Sequence, residues 1–356
     1  MSGVDYRKEL SALVDIVTSE GASDIHFSVG SHPTIRVTGS LIPLLKKPIL
    51  TDEDVIGFAH VLLSPKQLEE FQVAQEMDFS YQHADIARFR GNAFFQKGHM
   101  SIVLRLISDE IRSLTELRLP PILESFALRP QGFFLCVGPV GQGKSTTLAA
   151  MIEIINQNKA DHIVTIEDPI EYIYEPKRAL IDQREVRIDT KNFSTALTAA
   201  LRQDVDVLLV GEMRNPDTIA TAVTAAETGH LVFSTLHTNN AAQTIDRIID
   251  SFPAGQQDQI RVQLAGSLAG IFSQRLVPGI SGGLVPAYEL LINNSAVANL
   301  IRESRTHELQ TVIETGLEHG MIDMNRSLAE LVKKGEITTE NAFAYSLNPK
   351  GLERLI

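Results

Sequence analysis

The sequence predicts an α/β fold: a parallel sheet covered by helices, with a smaller α+β domain before it and a helical segment after it. Three observations predict it. Apolar runs at residues 133–137, 163–166, 207–210 and 231–233 alternate with helical stretches, the rhythm of buried parallel strands. Directly after the first run, Gly138-Pro139-Val140-Gly141-Gln142-Gly143-Lys144-Ser145 has the spacing G-x-x-x-x-G-K-[ST] of a phosphate-binding loop. Upstream of Pro120-Pro121 the pattern changes to short alternating segments mixed with amphipathic helices.

In chain order, Leu10, Leu13, Val14 and Val17 give a helix one apolar face, and Gly21 stops it. Residues 24–29 and 34–37 read as strands, with Thr38-Gly39-Ser40 as a turn into Leu41. Thr51 with Asp54 three residues on resembles a capping box, and a further helix is expected near 65–74. Residues 77–81, 87–96 and 101–107 return to strands. The boundaries predicted are an N-terminal α+β domain over 1–107, a linker over 108–121, a nucleotide domain over 122–293 and a helical subdomain over 294–356. Within the last, 300–318 and 327–334 read as amphipathic helices.

The bulk numbers suit an ordinary soluble protein. Forty-four acidic against 32 basic side chains leave a net charge of −12, which disfavours general nucleic-acid binding. The single cysteine, Cys136, excludes a disulfide framework or a four-cysteine zinc site within one chain and reads as core filler. Neither an apolar leader nor a bilayer-length apolar run is present, so the expectation is a cytoplasmic protein whose membrane association runs through a partner.

The loop chemistry is specific. Glycines let successive N–H groups converge on phosphate oxygens, Lys144 reaches the β/γ-phosphates, and the Ser145 hydroxyl suits Mg²⁺. With Thr146 opening a helix, bound phosphate would lie at its N-terminus. Ligands of such sheets collect at the carboxyl ends of strands. There the sequence supplies Glu167, Asp168 and Glu171 after one strand, Gly211 and Glu212 after another, and His237 after a third. The acids fit a metal-holding or water-orienting role, or serve as helix caps. His237 fits a γ-phosphate contact or a hydrogen-bonding loop residue. His230 and His237 are set roughly 20 Å apart by a strand of about 3.3 Å per residue, so they cannot share one metal, and His230 reads as structural. Arg90 and Arg105, on adjacent predicted strands, either face solvent or reach a nucleotide on a neighbouring subunit.

Four stretches in this order resemble the motifs of the type II secretion and type IV pilus ATPases, most closely the pilus retraction group. They are the loop at 138–145, the acidic stretch 163–171, the strand and acid at 207–214, and the stretch 228–238 bearing both histidines. The resemblance runs over nearly the whole chain. It implies a RecA-like P-loop domain with a PAS-like N-terminal domain, and hydrolysis of ATP with Mg²⁺. It implies that Gly138, Pro139, Val140, Gly141, Gln142, Gly143, Lys144, Ser145 and Thr146 hold the triphosphate. Ser145 and Glu212 organise Mg²⁺, Glu212 through water; Glu167 polarises the attacking water; His237 senses the γ-phosphate; Arg90 and Arg105 come from a neighbouring subunit. It further implies a homohexameric motor that depolymerises pilin, works against an inner-membrane platform protein and sits peripherally at that membrane, with a second retraction ATPase as a further partner. An accessory motor of the PilU kind, a RecA-like nucleic-acid translocase and a non-hydrolysing ATP-binding module are the competing readings. The chain departs from the family pattern at Val140 and Gln142, where hydroxyl residues are commoner, at Ala298, where an arginine is usual, and over Met321-Ile322-Asp323-Met324-Asn325.

Overall fold

The computed structural model describes residues 4–37, 39–84, 86–107, 110–213 and 215–356. Thr38 of the expected turn, Ser108 of the expected linker and Arg214 of the third motif lie outside them. The chain divides into two compact units, one of Met1–Glu110 with Glu171–Ile173, the other of Ile111–Ile170 with Tyr174–Ile356.

The first unit begins with α1 (Tyr6–Ser19), capped by the Asp5 carboxylate and buried along Leu10, Leu13, Val14 and Val17 as the periodicity predicts. Strands β1 (Asp24–Ser28), β2 (Thr34–Val37) and β3 (Ser40–Pro43) follow, the last extending where only a turn is legible. Helices α2 (Asp52–Leu62) and α3 (Pro65–Ala74) each start with a reciprocal capping box, Thr51 with Asp54 and Ser64 with Gln67. Strands β4 (Glu76–His83), β5 (Ala87–Gln96) and β6 (His99–Ile107) complete an antiparallel sheet of order β3-β2-β1-β6-β5-β4. Along β5 the alternation buries Ala87, Phe89, Gly91 and Ala93 and leaves Arg90 exposed between them. Phe27, Phe58, Phe71 and Phe89 fill the core.

The second unit holds α4 (Ile122–Ala127), β7 (Gly132–Val137), α5 (Lys144–Asn158), β8 (His162–Glu167), β9 (Leu180–Glu185), α6 (Phe193–Ala200), β10 (Val207–Val210), α7 (Pro216–Glu227), β11 (Leu231–Leu236), α8 (Ala241–Asp250) and α9 (Ala254–Ser267). A long hairpin, β12 (Leu268–Pro278) with β13 (Leu284–Ile292), comes next, then α10 (Ser295–Arg302), α11 (Leu309–Thr315), α12 (Met324–Lys333), α13 (Thr339–Tyr345) and α14 (Pro349–Leu352). The sheet order is β13-β12-β7-β11-β10-β8-β9, parallel throughout except for β13. Strands β7, β10 and β11 are wholly buried, which is why they read as continuous apolar runs. Ala222, Ala225 and Ala226 keep α7 slim and lie buried in the core beside it.

Two features differ from the sequence expectations. Strands β9, β12 and β13 were not legible: β9 is a polar edge strand, and β12 carries Ser273, Gln274 and Arg275 in its buried middle. Residues 300–318 form no single helix. Helix α10 stops at Arg302, Ser304 takes a left-handed φ of 60°, and a short 3₁₀ turn precedes α11.

Candidate nucleotide site

The glycines of the loop after β7 are used for close approach. Gly138 has φ 145°, and a Cβ there would lie 2.5 Å from the Gln274 carbonyl oxygen on β12. Gly143, at φ 78°, caps α5 from the left-handed region and leaves Lys144 as the first helical residue. Two glutamines brace the loop against β12. Gln142 accepts from the Leu276 N–H at 2.7 Å, and Gln274 accepts from the Thr147 hydroxyl at 2.6 Å. Gln142 thus answers one departure from the family pattern: where a hydroxyl is commoner, this chain has a side chain long enough to reach the next strand.

The Lys144 side chain is buried and arches over its own loop, donating to the Gly138 and Pro139 carbonyls at 2.8 Å each. Its Nζ also lies 3.3 Å from Nδ1 of His237. Ser145 and Thr146 stand half-buried in the first turn of α5, and Val140 is exposed at the loop tip.

The other candidates arrive on neighbouring strands. His237 follows β11, which pairs with β7 so that Leu236 faces Val137. Glu212 follows β10, and Glu167 ends β8, the next two strands across. Gly211 hydrogen-bonds to the Ile166 carbonyl at 2.8 Å, which draws the turn after β10 against Glu167. Glu167 is only 8 % exposed and accepts from the Thr165 hydroxyl at 2.7 Å. Lys144, His237, Glu212 and Glu167 therefore come from the carboxyl ends of four consecutive strands, where a ligand of this fold binds. An ammonium, a buried carboxylate, a second carboxylate and an imidazole at one edge suit a bound polyphosphate with an oxygen-seeking cation.

Asp168 pairs with Arg187 at 3.6 Å, so the charge it carries is partly engaged within the unit. Glu171 belongs to the first unit. Nδ1 of His230 donates to the Ala225 carbonyl, 2.9 Å away, closing the last turn of α7, in keeping with a structural role. Cys136 is fully buried, and burial pushes its thiol up to about 12, in keeping with core filler.

Arg90 and Arg105 lie in the first unit and face each other directly across β5 and β6. Like charges in that position repel. Arg105 is anchored through Nε to the buried carboxylate of Asp24 at 2.8 Å, with its side chain 68 % exposed. Arg36 approaches the same carboxylate at 3.9 Å. Asp24 is held ionised below the usual carboxylate range; burial opposes this, and the hydrogen bonds from Ser23 and Arg105 outweigh it. Sequence reasoning missed Asp24, Gln274, Arg275 and Glu289. The Lys97-Gly98 turn, both residues at positive φ, was the one local signal for the arginine register.

A family model for type II/IV secretion system proteins matches residues 6–282. The chain belongs to this family. The type IV pilus retraction ATPase PilT of Pseudomonas aeruginosa is 44% identical over 334 residues, 94% of this chain and 97% of that protein. The type IV pilus ATPase PilU of the same organism is 40% identical over 352 residues, 98% of this chain and 91% of its own length. Among solved structures, the pilus retraction motor PilT with bound ADP superimposes with a TM-score of 0.91 at 46% identity, over 96% of this chain and 98% of that one. As a member of this family with such relatives along its whole length, the chain has the fold of a secretion ATPase. Among the described residues, no helix is long and apolar enough to cross a membrane.

Proposed function

We propose that this chain is a type IV pilus retraction ATPase, hydrolysing ATP to drive pilin depolymerisation. The observation that carries the reading is the convergence of Lys144, His237, Glu212 and Glu167 on four consecutive strand ends, with Lys144 and His237 already 3.3 Å apart. Lys144 and the backbone N–H groups of 138–146, Pro139 excepted, hold the triphosphate. Glu167, oriented by Thr165, polarises the attacking water. His237 contacts the γ-phosphate and registers its loss. Ser145 and Glu212 are the oxygen donors that suit Mg²⁺, Glu212 through water; when bound, the ion neutralises charge on the leaving phosphate.

Arg90 and Arg105 serve the site of a neighbouring subunit. Two opposed guanidiniums, only one of them anchored to Asp24, are well matched to a polyphosphate. The working assembly is then a homohexameric ring, active at the cytoplasmic side of the inner membrane against a platform protein. Residues 1–107, 122–293 and 294–356 act as arginine-bearing domain, nucleotide domain and helical subdomain, joined through 108–121. Deleting the gene in its source organism tests the reading. Loss of surface motility with surplus pili supports retraction, whereas loss of pili altogether points to assembly.

The similarity to PilU, nearly as high as that to PilT, supports a second reading: an accessory motor beside a primary one. Deletion would then leave retraction in place and reduce its force.

A further inference from the structure

Strand β12 lies between the loop after β7 and the hairpin partner β13. Ser273 pairs with Val137 on one side and with Glu289 on the other. Residues opposite one another share a sheet face, as do residues two apart, so Ser273, Arg275 and Glu289 point the same way. All three are buried, at 0 %, 7 % and 2 % exposure. Their polar atoms converge on the segment that follows His237. The Ser273 hydroxyl donates to the Asn239 carbonyl at 2.9 Å, and Arg275 Nη2 donates to Asn239 Oδ1 at 2.9 Å. Glu289 Oε1 accepts from the Ala241 N–H at 2.9 Å.

Packing alone does not account for these groups. Helix α8 already has a cap, since Asn240 Oδ1 accepts from the Gln243 N–H. Buried charges add little stability compared with apolar residues of similar size. Burial weakens the charged form of both partners: it lowers Arg275, against Glu289, and it raises Glu289, with Asp323 and Glu314 adding to the rise and the Ala241 N–H and Arg275 opposing it. What the arrangement does supply is position. It fixes both the carbonyl and the side chain of Asn239, two residues beyond His237, and the amide of Ala241, two further on. Between Ser273 and Arg275, Gln274 faces the other way and braces Thr147 and Gly138. Three consecutive residues of β12 thus set the place of both the phosphate loop and the histidine segment.

We propose that Arg275 and Glu289 are positioning residues for His237: a buried clamp that holds segment 237–241 in register with the phosphate loop. The proposal rests on His237 contacting the γ-phosphate. It acts on turnover rather than on nucleotide affinity, because a group displaced by about 1 Å loses up to about 100-fold in rate.

The test uses the full-length protein with ATP turnover, ADP titration and thermal melting. Asn239→Ala removes the clamp's exposed end, where folding is least at risk; Arg275→Lys keeps the charge and loses the fork. Each is expected to lower kcat about 10-fold while ADP affinity and melting temperature stay near wild type. Glu289→Gln, which keeps an oxygen acceptor for Ala241, is expected to retain more activity than Glu289→Ala. Combined with His237→Ala, Asn239→Ala should cost little more. If Asn239→Ala turns over at the wild-type rate, the clamp has no such role, even if Arg275→Lys fails to fold. Fully multiplicative losses in the double variant would also overturn it. If His237→Ala itself keeps the wild-type rate, the γ-phosphate reading fails first and takes the clamp's purpose with it. A lowered rate for His237→Ala beside an unaffected Asn239→Ala overturns the clamp alone.

Discussion

The Lys144 ammonium approaches Nδ1 of His237 to 3.3 Å across two adjacent strands. The separation suits an ammonium donating to an imidazole nitrogen. The proposed function has both groups meet the γ-phosphate. His237→Ala is expected to lower kcat by about 100-fold, the scale of losing one donor to a developing charge, with ADP binding close to wild type. Lys144→Ala is expected to remove turnover and to weaken nucleotide binding. Steady-state ATPase assays with ADP titration separate the two, and equal loss of ADP affinity in both variants would place His237 on the diphosphate instead.

The roles proposed for Glu167 and Glu212 differ, and so do their positions. Glu167 is buried at a strand end with a hydroxyl holding one oxygen, whereas Glu212 is half-buried beyond the next strand. Glu167→Gln is expected to lower kcat by about 10²–10⁴, the range for a general base, with the Mg²⁺ requirement unchanged. Glu212→Gln is expected to raise the Mg²⁺ concentration needed for half-maximal activity. Magnesium titrations of both variants decide it; a reversed pattern would swap the assignments.

The opposed arginines predict complementation between chains. Lys144→Ala and Arg90→Ala are each expected to be inactive or strongly slowed, with arginine loss costing about 10³ or more. Mixed, they place an intact Lys144 opposite an intact Arg90 at some interfaces and recover part of the activity. No recovery from a mixture that co-assembles by light scattering means that both residues serve one chain's own site.

Glu289 gives a pH signature in stability. Burial raises its carboxyl to about 7, from about 4.5 in the unfolded chain. Between these values the folded state binds more protons than the unfolded one. The contribution is therefore fully present below about pH 4.5 and lost as pH rises through about 7. At about 1.4 kcal/mol per pH unit the loss is on the order of 3–4 kcal/mol. Glu289→Gln does not titrate, so its melting temperature should gain on wild type between pH 5 and pH 8. A constant difference between the two proteins would show that the carboxyl titrates near its unfolded value.

The nucleotide edge was largely legible in the sequence because each part is local. A glycine-rich loop follows a buried strand, and acids and a histidine follow others. The hairpin β12–β13 was not, because Ser273, Gln274 and Arg275 interrupt its apolar run and are satisfied only by groups far along the chain: Asn239, Thr147 and Glu289. Gln142 was visible only as a missing hydroxyl; its reach to Leu276 depends on which strand lies beside β7. Asp24 looked like any strand residue until the order β1-β6-β5 set it beside Arg105.

The register of β5 and β6 has one more consequence. Gln96 faces His99 across the Lys97-Gly98 turn, and counting back along the hairpin brings Arg90 opposite Arg105. Because side chains alternate along a strand, one residue inserted in β5 between Arg90 and the turn would exchange the two faces upstream, sending Phe89 to solvent and Arg90 into the aromatic core. The core cannot accept that exchange. The apolar packing under the sheet therefore acts as a ratchet pawl for the guanidiniums above it, and hairpin length governs where those charges are presented.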